Sequence, residues 1–195
     1  MRIGTAHGYT LIEILLALSI VTVLLGVALP MTEEALDTLR TQGAARYLAG
    51  RIIQGRMDAI KRSTIVGLRF VAFSSSDYTY GVYLDGNQNG IRAADITSGT
   101  DRLMGSVERV GDHFAGVSVG LMPGLPDADG VQNTGTDGVR FGAADILTTS
   151  PNGTATPGTL YVRGKHAQYA VRVLGATGRV RVMEYRRGDG TWMNR

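Results

Sequence analysis

The 195-residue chain contains no cysteine, which excludes disulfide staples, thiolate metal sites and cysteine nucleophiles. A protein of this kind must be held together by its own core. Histidine is nearly absent: His7, His113 and His166 are the only three, and none stands beside an acid and a nucleophile in a recognisable motif. There is no phosphate-cradling glycine loop of the P-loop or dinucleotide type and no tandem repeat of fixed period. An enzyme tethered by an amino-terminal helix is the rival reading from another class, and no catalytic constellation supports it.

What the chain does have is one long apolar run. From Leu11 to Leu29 the sequence is almost unbroken hydrophobe, about 28 Å long as a helix and close to the roughly 30 Å hydrocarbon core of a bilayer. It can span a membrane once. The residues before it carry one firm positive charge, Arg2, and are too short and too weakly apolar to lead an ordinary secretory signal. The anomaly is Glu13, since a charge within a membrane segment costs roughly 2.5 to 3.5 kcal/mol and by default has a functional partner. The bland alternative places Glu13 near the interface, within reach of water. If the chain is cut between Gly8 and Tyr9, the new amine of Tyr9 lies about one helical turn from Glu13. In helices staggered along an axis, Glu13 of one subunit then neutralises the Tyr9 amine of the next.

The hexapeptide Gly8-Tyr9-Thr10-Leu11-Ile12-Glu13, with its short basic leader, apolar run and Pro30, resembles the class III signal of type IV prepilins and type II secretion pseudopilins. The resemblance implies that a prepilin peptidase cuts after Gly8 on the cytoplasmic side and methylates Tyr9. It also makes Glu13 the subunit-pairing acid and places Pro30 where such helices commonly bend. The family more often has Phe in place of Tyr9, a departure that keeps an aromatic ring.

Length and a hydrophobic fraction of 44% suit one exported domain on a membrane helix. The segments read as a leader over 1–8, a transmembrane and assembly helix over 9–30, an amphipathic continuation over 31–62 and a β-rich domain over 63–195. In the continuation, Leu36, Leu39, Leu48, Ile52, Ile53, Met57 and Ile60 predict a core-facing stripe, and acids precede bases on the other face, as the helix dipole prefers. Gly43 and Gly50 weaken this helix but permit close packing. From Thr64 the period changes to two. Val66, Leu68 and Phe70, then Tyr78, Tyr80, Val82 and Leu84, predict paired strands turned at 74–77. Helix followed by strand in this register, from Gln54 to Leu68, is similar to the FimT/GspH branch of the pilin superfamily. Its members are minor pilins of type IV pili or the minor pseudopilin H of type II secretion.

The stretch Asp85-Gly-Asn-Gln-Asn-Gly-Ile is the one candidate metal site, because Asp85, Asn87 and Asn89 alternate as they do at the start of an EF-hand calcium loop. The match then fails: Ile96 stands where the bidentate Glu belongs, with Asp95 beside it as a poor substitute. A plain hairpin turn accounts for the same residues, and the FimT/GspH family has a similar turn. Between Thr97 and Pro157, short apolar pieces at 117–122 and 139–147 suggest strands joined by long surface loops, with a net acidic balance.

The end of the chain is basic. Strands are predicted over 159–162, 169–174 and 179–185, the last two joined at 175–178. Arg163, Lys165, Arg172, Arg179, Arg181, Arg186, Arg187 and Arg195 face only Glu184 and Asp189 in charge. Gly178-Arg179-Val180-Arg181 resembles the Gly-Arg-x-Arg signature of FimT-type minor pilins implicated in DNA uptake. On that resemblance Arg179 and Arg181 contact DNA phosphates, helped by Arg186 and Arg187, with Trp192 as a stacking group. Arginine on an exposed strand is equally an ordinary solubility device, and Trp192 equally a residue that packs the tail. The expectation is therefore an α+β fold, a long amino-terminal helix packed on an antiparallel sheet. Functionally it is a minor subunit of a pilus or pseudopilus in the bacterial inner membrane with its domain outside the cytoplasm. Prepilin peptidase, other pilins or pseudopilins and the assembly platform are its expected partners, and DNA is the alternative partner.

Overall fold

The structure, a computed structural model, describes residues 8–75, 77–132 and 135–195. The leader residues 1–7 lie outside the described residues. In chain order the elements are α1 (Leu11–Arg62), β1 (Val66–Ser74), β2 (Asp77–Leu84), α2 (Ala93–Ser98), β3 (Arg102–Leu103), β4 (Glu108–Arg109), α3 (Val110–His113), β5 (Ser118–Val119), β6 (Val139–Arg140), β7 (Ile146–Thr149), β8 (Gly158–Arg163), β9 (Gln168–Leu174), β10 (Arg179–Arg186) and β11 (Thr191–Asn194). The chain forms two compact units, one ending at Leu36 and one running from Asp37 to Arg195. The boundary between them falls inside α1.

In the second unit the expected single sheet is two. One runs β3-β2-β1-β7 with β4 also on β2, the other β11-β10-β9-β8-β5 with β6 also on β8, and the pairings are antiparallel. The predicted β1–β2 register is present: Leu68 lies opposite Val82 and Phe70 opposite Tyr80, so their side chains share the core face. The predicted 139–147 strand is instead split into β6, which joins the second sheet, and β7, which joins the first. A periodicity cannot show that a chain changes sheets. The strand β11 and the short helices α2 and α3 were not legible either, being too short for a period to register.

The stripe that α1 lays on the core differs from the one expected. Thr41, Ala45, Leu48, Ile52, Gly55 and Ala59 recur at three- and four-residue steps and are buried. Leu39, Ile53, Met57 and Ile60 are exposed. Small side chains win because the sheets come close: a Cβ on Gly55 would lie 3.1 Å from Leu68, and one on Gly43 3.1 Å from the Phe114 ring. Gly50, by contrast, meets nothing and plays no packing part. The polar face is also less solvated than its charges suggest. Arg51 reaches Glu108 at 3.0 Å, and Arg56 Nε donates to the Gly153 carbonyl at 3.0 Å.

Two carboxylates tie this helix to the domain. Asp37 accepts the backbone N–H groups of Lys165, His166 and Ala167 at 2.8, 2.7 and 3.1 Å, and so holds the β8–β9 turn at the start of the unit. The turn approaches so closely that a Cβ on Gly164 would collide with Asp37 and the Thr41 hydroxyl. Glu108 accepts from the Tyr47 hydroxyl of α1 at 2.7 Å and the Tyr80 hydroxyl of β2 at 2.6 Å, while His113 lies 3.7 Å away. His113 is thus grouped with an acid, contrary to its isolated look in the sequence. Burial pushes both carboxyls upward. For Asp37 the three N–H donors outweigh it; for Glu108 the two phenols, Arg51 and His113 do, and both groups sit below their ordinary values.

The sign of the pH dependence follows from that direction. Both groups contribute stability that is complete above their unfolded values, 3.8 for Asp and 4.5 for Glu, and lost as pH falls through the lower folded values. The thermal midpoint should therefore drop below about pH 4. Asp37→Ala should cost about 1 to 3 kcal/mol at neutral pH and flatten that acid limb. A variant whose melting curve against pH overlays the parent would remove Asp37 from this role.

Candidate functional site

In the first unit, Gly8, Tyr9 and Thr10 precede the helix in non-helical conformation and are exposed. Thr10 is its N-cap. Its Oγ1 accepts the Glu13 N–H at 3.4 Å, and the Glu13 carboxylate accepts the Thr10 N–H and hydroxyl at 2.8 Å each. This is a capping box, Thr-x-x-Glu, and its spacing was legible in the sequence although Thr10 had not been singled out. Glu13 therefore has work within its own chain as well as an oxygen-rich end exposed to neighbours.

Beyond Glu13, Leu11 to Leu25 expose large apolar side chains on every side of the helix. The polar hydroxyls in the run are hidden by bonding to the preceding turn: Ser19 to the Leu16 carbonyl at 2.7 Å, and Thr22 to the Leu18 carbonyl at 2.8 Å. With its backbone and hydroxyls satisfied internally, the segment presents the surface that hydrocarbon tolerates. It is long and apolar enough to cross a membrane. Pro30 lies inside α1 and does not end it, although it has no N–H for the helical ladder.

The Asp85 turn is closed on itself. Asp85 is buried and accepts the N–H groups of Asn87, Gln88 and Gly90 at 3.1, 2.8 and 2.8 Å, while the Asn87 side chain accepts Asn89 N–H at 3.3 Å. Asp101, which the sequence did not single out, braces the same turn through Gly86 N–H and Arg92 N–H. Asp95 lies on α2. The oxygens that would face a cation are engaged by backbone donors, and no group of three or more metal-ligating side chains occurs among the described residues. The arrangement is that of a closed turn held by backbone donors.

The basic end is divided by its partners. Arg181 lies directly opposite Arg172 in the β9–β10 register, and Arg179 is two residues along on the same face. Arg172 is not free, however: it pairs with Asp129 at 2.6 Å, in a loop of the acidic middle. Arg140 pairs with Asp127 at 3.4 Å, Arg195 with Glu184 at 2.5 Å, and Arg186 lies 3.9 Å from Asp189. Arg179 and Arg181 remain exposed, with no acidic partner among the described residues. Trp192 is committed to packing: its Nε1 donates to the Pro126 carbonyl at 3.1 Å and its ring meets Tyr161 and Tyr185. The expected stacking role is thus replaced by anchorage of the tail. Gly178 is structural too. It has φ +59°, and a Cβ there would collide with the Gly153 carbonyl.

Comparison with known proteins places one match at the amino terminus. Residues 4–29 match the prokaryotic N-terminal methylation motif. The chain is 40% identical over 85 residues to the pilin-like protein PilA1 of Thermus thermophilus, covering 44% of this chain and 52% of that protein. It thus spans about half the length of the curated relative it matches. Among solved structures, the minor pseudopilin EpsH of the Vibrio cholerae type 2 secretion system aligns with a TM-score of 0.46 at 14% identity, over 74% of this chain and 97% of that one.

The closed turn makes a direct prediction. Asp85→Ala should destabilise the protein by about 3 kcal/mol, because three backbone donors lose one buried acceptor. Calcium and a chelator should leave the thermal midpoint of the parent unchanged; a rise that grows with calcium concentration would show binding.

Proposed function

We propose that this chain is a member of the type IV pilin and pseudopilin superfamily, whose members are structural subunits, and within it a minor subunit of the FimT/GspH kind; the amino-terminal methylation motif and the pilin-like relative support the reading. Prepilin peptidase cuts after Gly8 and methylates Tyr9. The helix that follows holds the subunit in the inner membrane as a single pass, with the domain outside the cytoplasm. The assembly platform then moves it into a type IV pilus or secretion pseudopilus. The observation that carries this reading is the helix itself: apolar on every side, fully exposed, and bearing one carboxylate in its first turn. Such a surface needs lipid before assembly and other helices after it. In the filament, Glu13 meets the Tyr9 amine of a neighbour.

The capping box gives two variants with different meanings. Glu13→Gln keeps acceptors for the Thr10 donors but removes the charge, whereas Glu13→Ala removes both. Both should be cleaved after Gly8, and both should fall at least tenfold in filament incorporation if the charge pair is worth about 1.4 kcal/mol or more. Normal incorporation of the Gln variant would refute the pairing and leave Glu13 as a cap.

A second reading is supported by Arg179 and Arg181, exposed side by side without acids. In it the subunit binds DNA during uptake, with phosphates meeting these two guanidinium groups. The full chain in detergent should then bind short duplex DNA with an affinity that falls as salt rises. Reversal of both charges, Arg179→Glu with Arg181→Glu, should abolish the binding; undiminished binding would place it elsewhere.

A further inference from the structure

A second basic feature lies apart from the β9–β10 hairpin. Arg163, Lys165 and Arg187 line an open cleft of about 470 Å³ with Ser118, Met122 and Gly164, and no carboxylate lines it. Its walls are fixed from several directions. Arg163 Nε donates to the Ser118 hydroxyl at 3.2 Å, and the Arg187 guanidinium donates to the Met122 sulfur at 3.2 Å. Met122 is held in turn by the buried side chain of Gln168, which accepts its N–H at 2.9 Å and donates to the Gly120 and Val162 carbonyls. The Lys165 backbone is fixed by Asp37, whose oxygens are engaged by the N–H groups of the turn.

Three cations lining one cleft repel one another, and an anion entering it relieves that repulsion, while the neighbouring Asp37 carboxylate is taken up by the N–H groups of the turn. Two planar guanidinium groups and an ammonium are the chemistry that suits the oxygens of a phosphate. The cleft also has a place along the chain. It adjoins Asp37, the first residue of its unit, and the stretch from Leu29 to Asp37 reaches at most about 28 Å even when fully extended. With Leu11–Leu29 in a bilayer, the cleft is tethered within reach of the headgroups.

We propose that Arg163, Lys165 and Arg187 form a site for the phosphate of an anionic phospholipid headgroup, which the subunit occupies while still anchored in the membrane. The site rests on the membrane-anchored reading above. Extraction into a filament would have to release this contact, so lipid charge would set part of the resistance to extraction.

The test uses the full chain in zwitterionic detergent, with phosphatidylglycerol and phosphatidylcholine added in equal amounts and retained lipid counted by native mass spectrometry. Phosphatidylglycerol should be preferred, and each cation removed should lower the preference about fivefold, as expected of basic groups at a lipid surface. Lys165→Gln changes only an exposed side chain and serves as the variant least able to disturb folding. Arg163→Gln and Arg187→Gln are added to it, with thermal midpoints as the check on folding. Equal retention of the two lipids, or a preference that survives all three changes, overturns the proposal. Binding of inorganic phosphate without any lipid preference also overturns it, as does a loss of filament incorporation with lipid retention unchanged, which would assign the cleft to a neighbouring subunit. A chain that fails to enter micelles would instead sink the membrane-anchored reading itself.

Discussion

The closeness with which α1 lies on the two sheets is the constraint on which the second unit depends. Ala44, Ala45, Ala49, Gly55 and Ala59 put small residues on the buried face of the helix, and Leu48 and Ile52 enter a core shared by both sheets. Dispersion and apolar burial reward that density, since each fully buried Leu or Ile is worth about 1.5 to 3 kcal/mol. The same closeness dictates features that look unrelated in the sequence. The β8–β9 turn needs glycine at 164 because it meets Asp37 and Thr41, and the β9–β10 turn needs it at 178 because it meets Gly153 and Arg56.

Charge serves that packing more than it serves the surface. The acidic middle and basic end read as opposed patches, yet Asp127 and Asp129 lie against Arg140 and Arg172, and Glu184 against Arg195. Exposed pairs of this kind add little stability, commonly under about 1 kcal/mol each. Their larger consequence is subtraction. Once they are formed, the cations of the basic end that have no acidic partner among the described residues are Arg179 and Arg181 on one hairpin, and Arg163, Lys165 and Arg187 around one cleft. Total charge does not report this distribution.

The first unit obeys a different solvent. From Leu11 to Leu25 its leucines, isoleucines and valines are exposed all round, the Ser19 and Thr22 hydroxyls bond to the preceding turn, and the one carboxylate of that stretch, Glu13, closes a capping box at the start of the helix. Those are the requirements of a segment in hydrocarbon. The proposed pairing of Glu13 with the terminal amine of a neighbour would add a cation to the Thr10 donors it already accepts, and a carboxylate has lone pairs enough for both.

By itself the sequence determined what depends on neighbours along the chain. The membrane-length run, the Gly8–Glu13 motif and the β1–β2 and β9–β10 strands all rest on composition, spacing or a period of two. It also marked Asp85-Gly-Asn-Gln-Asn-Gly as either turn or metal loop, and left that choice open. Only the tertiary structure decided what depends on residues distant in sequence. It engaged the Asp85 oxygens in turn hydrogen bonds, divided 139–147 between two sheets, put alanines in place of Leu39, Ile53 and Met57 on the core stripe, and fixed Trp192 under Pro126. The physical reason is the same in each case. Periodicity records which face a side chain takes, whereas burial, ion pairing and close approach are set by whatever the fold brings to that face.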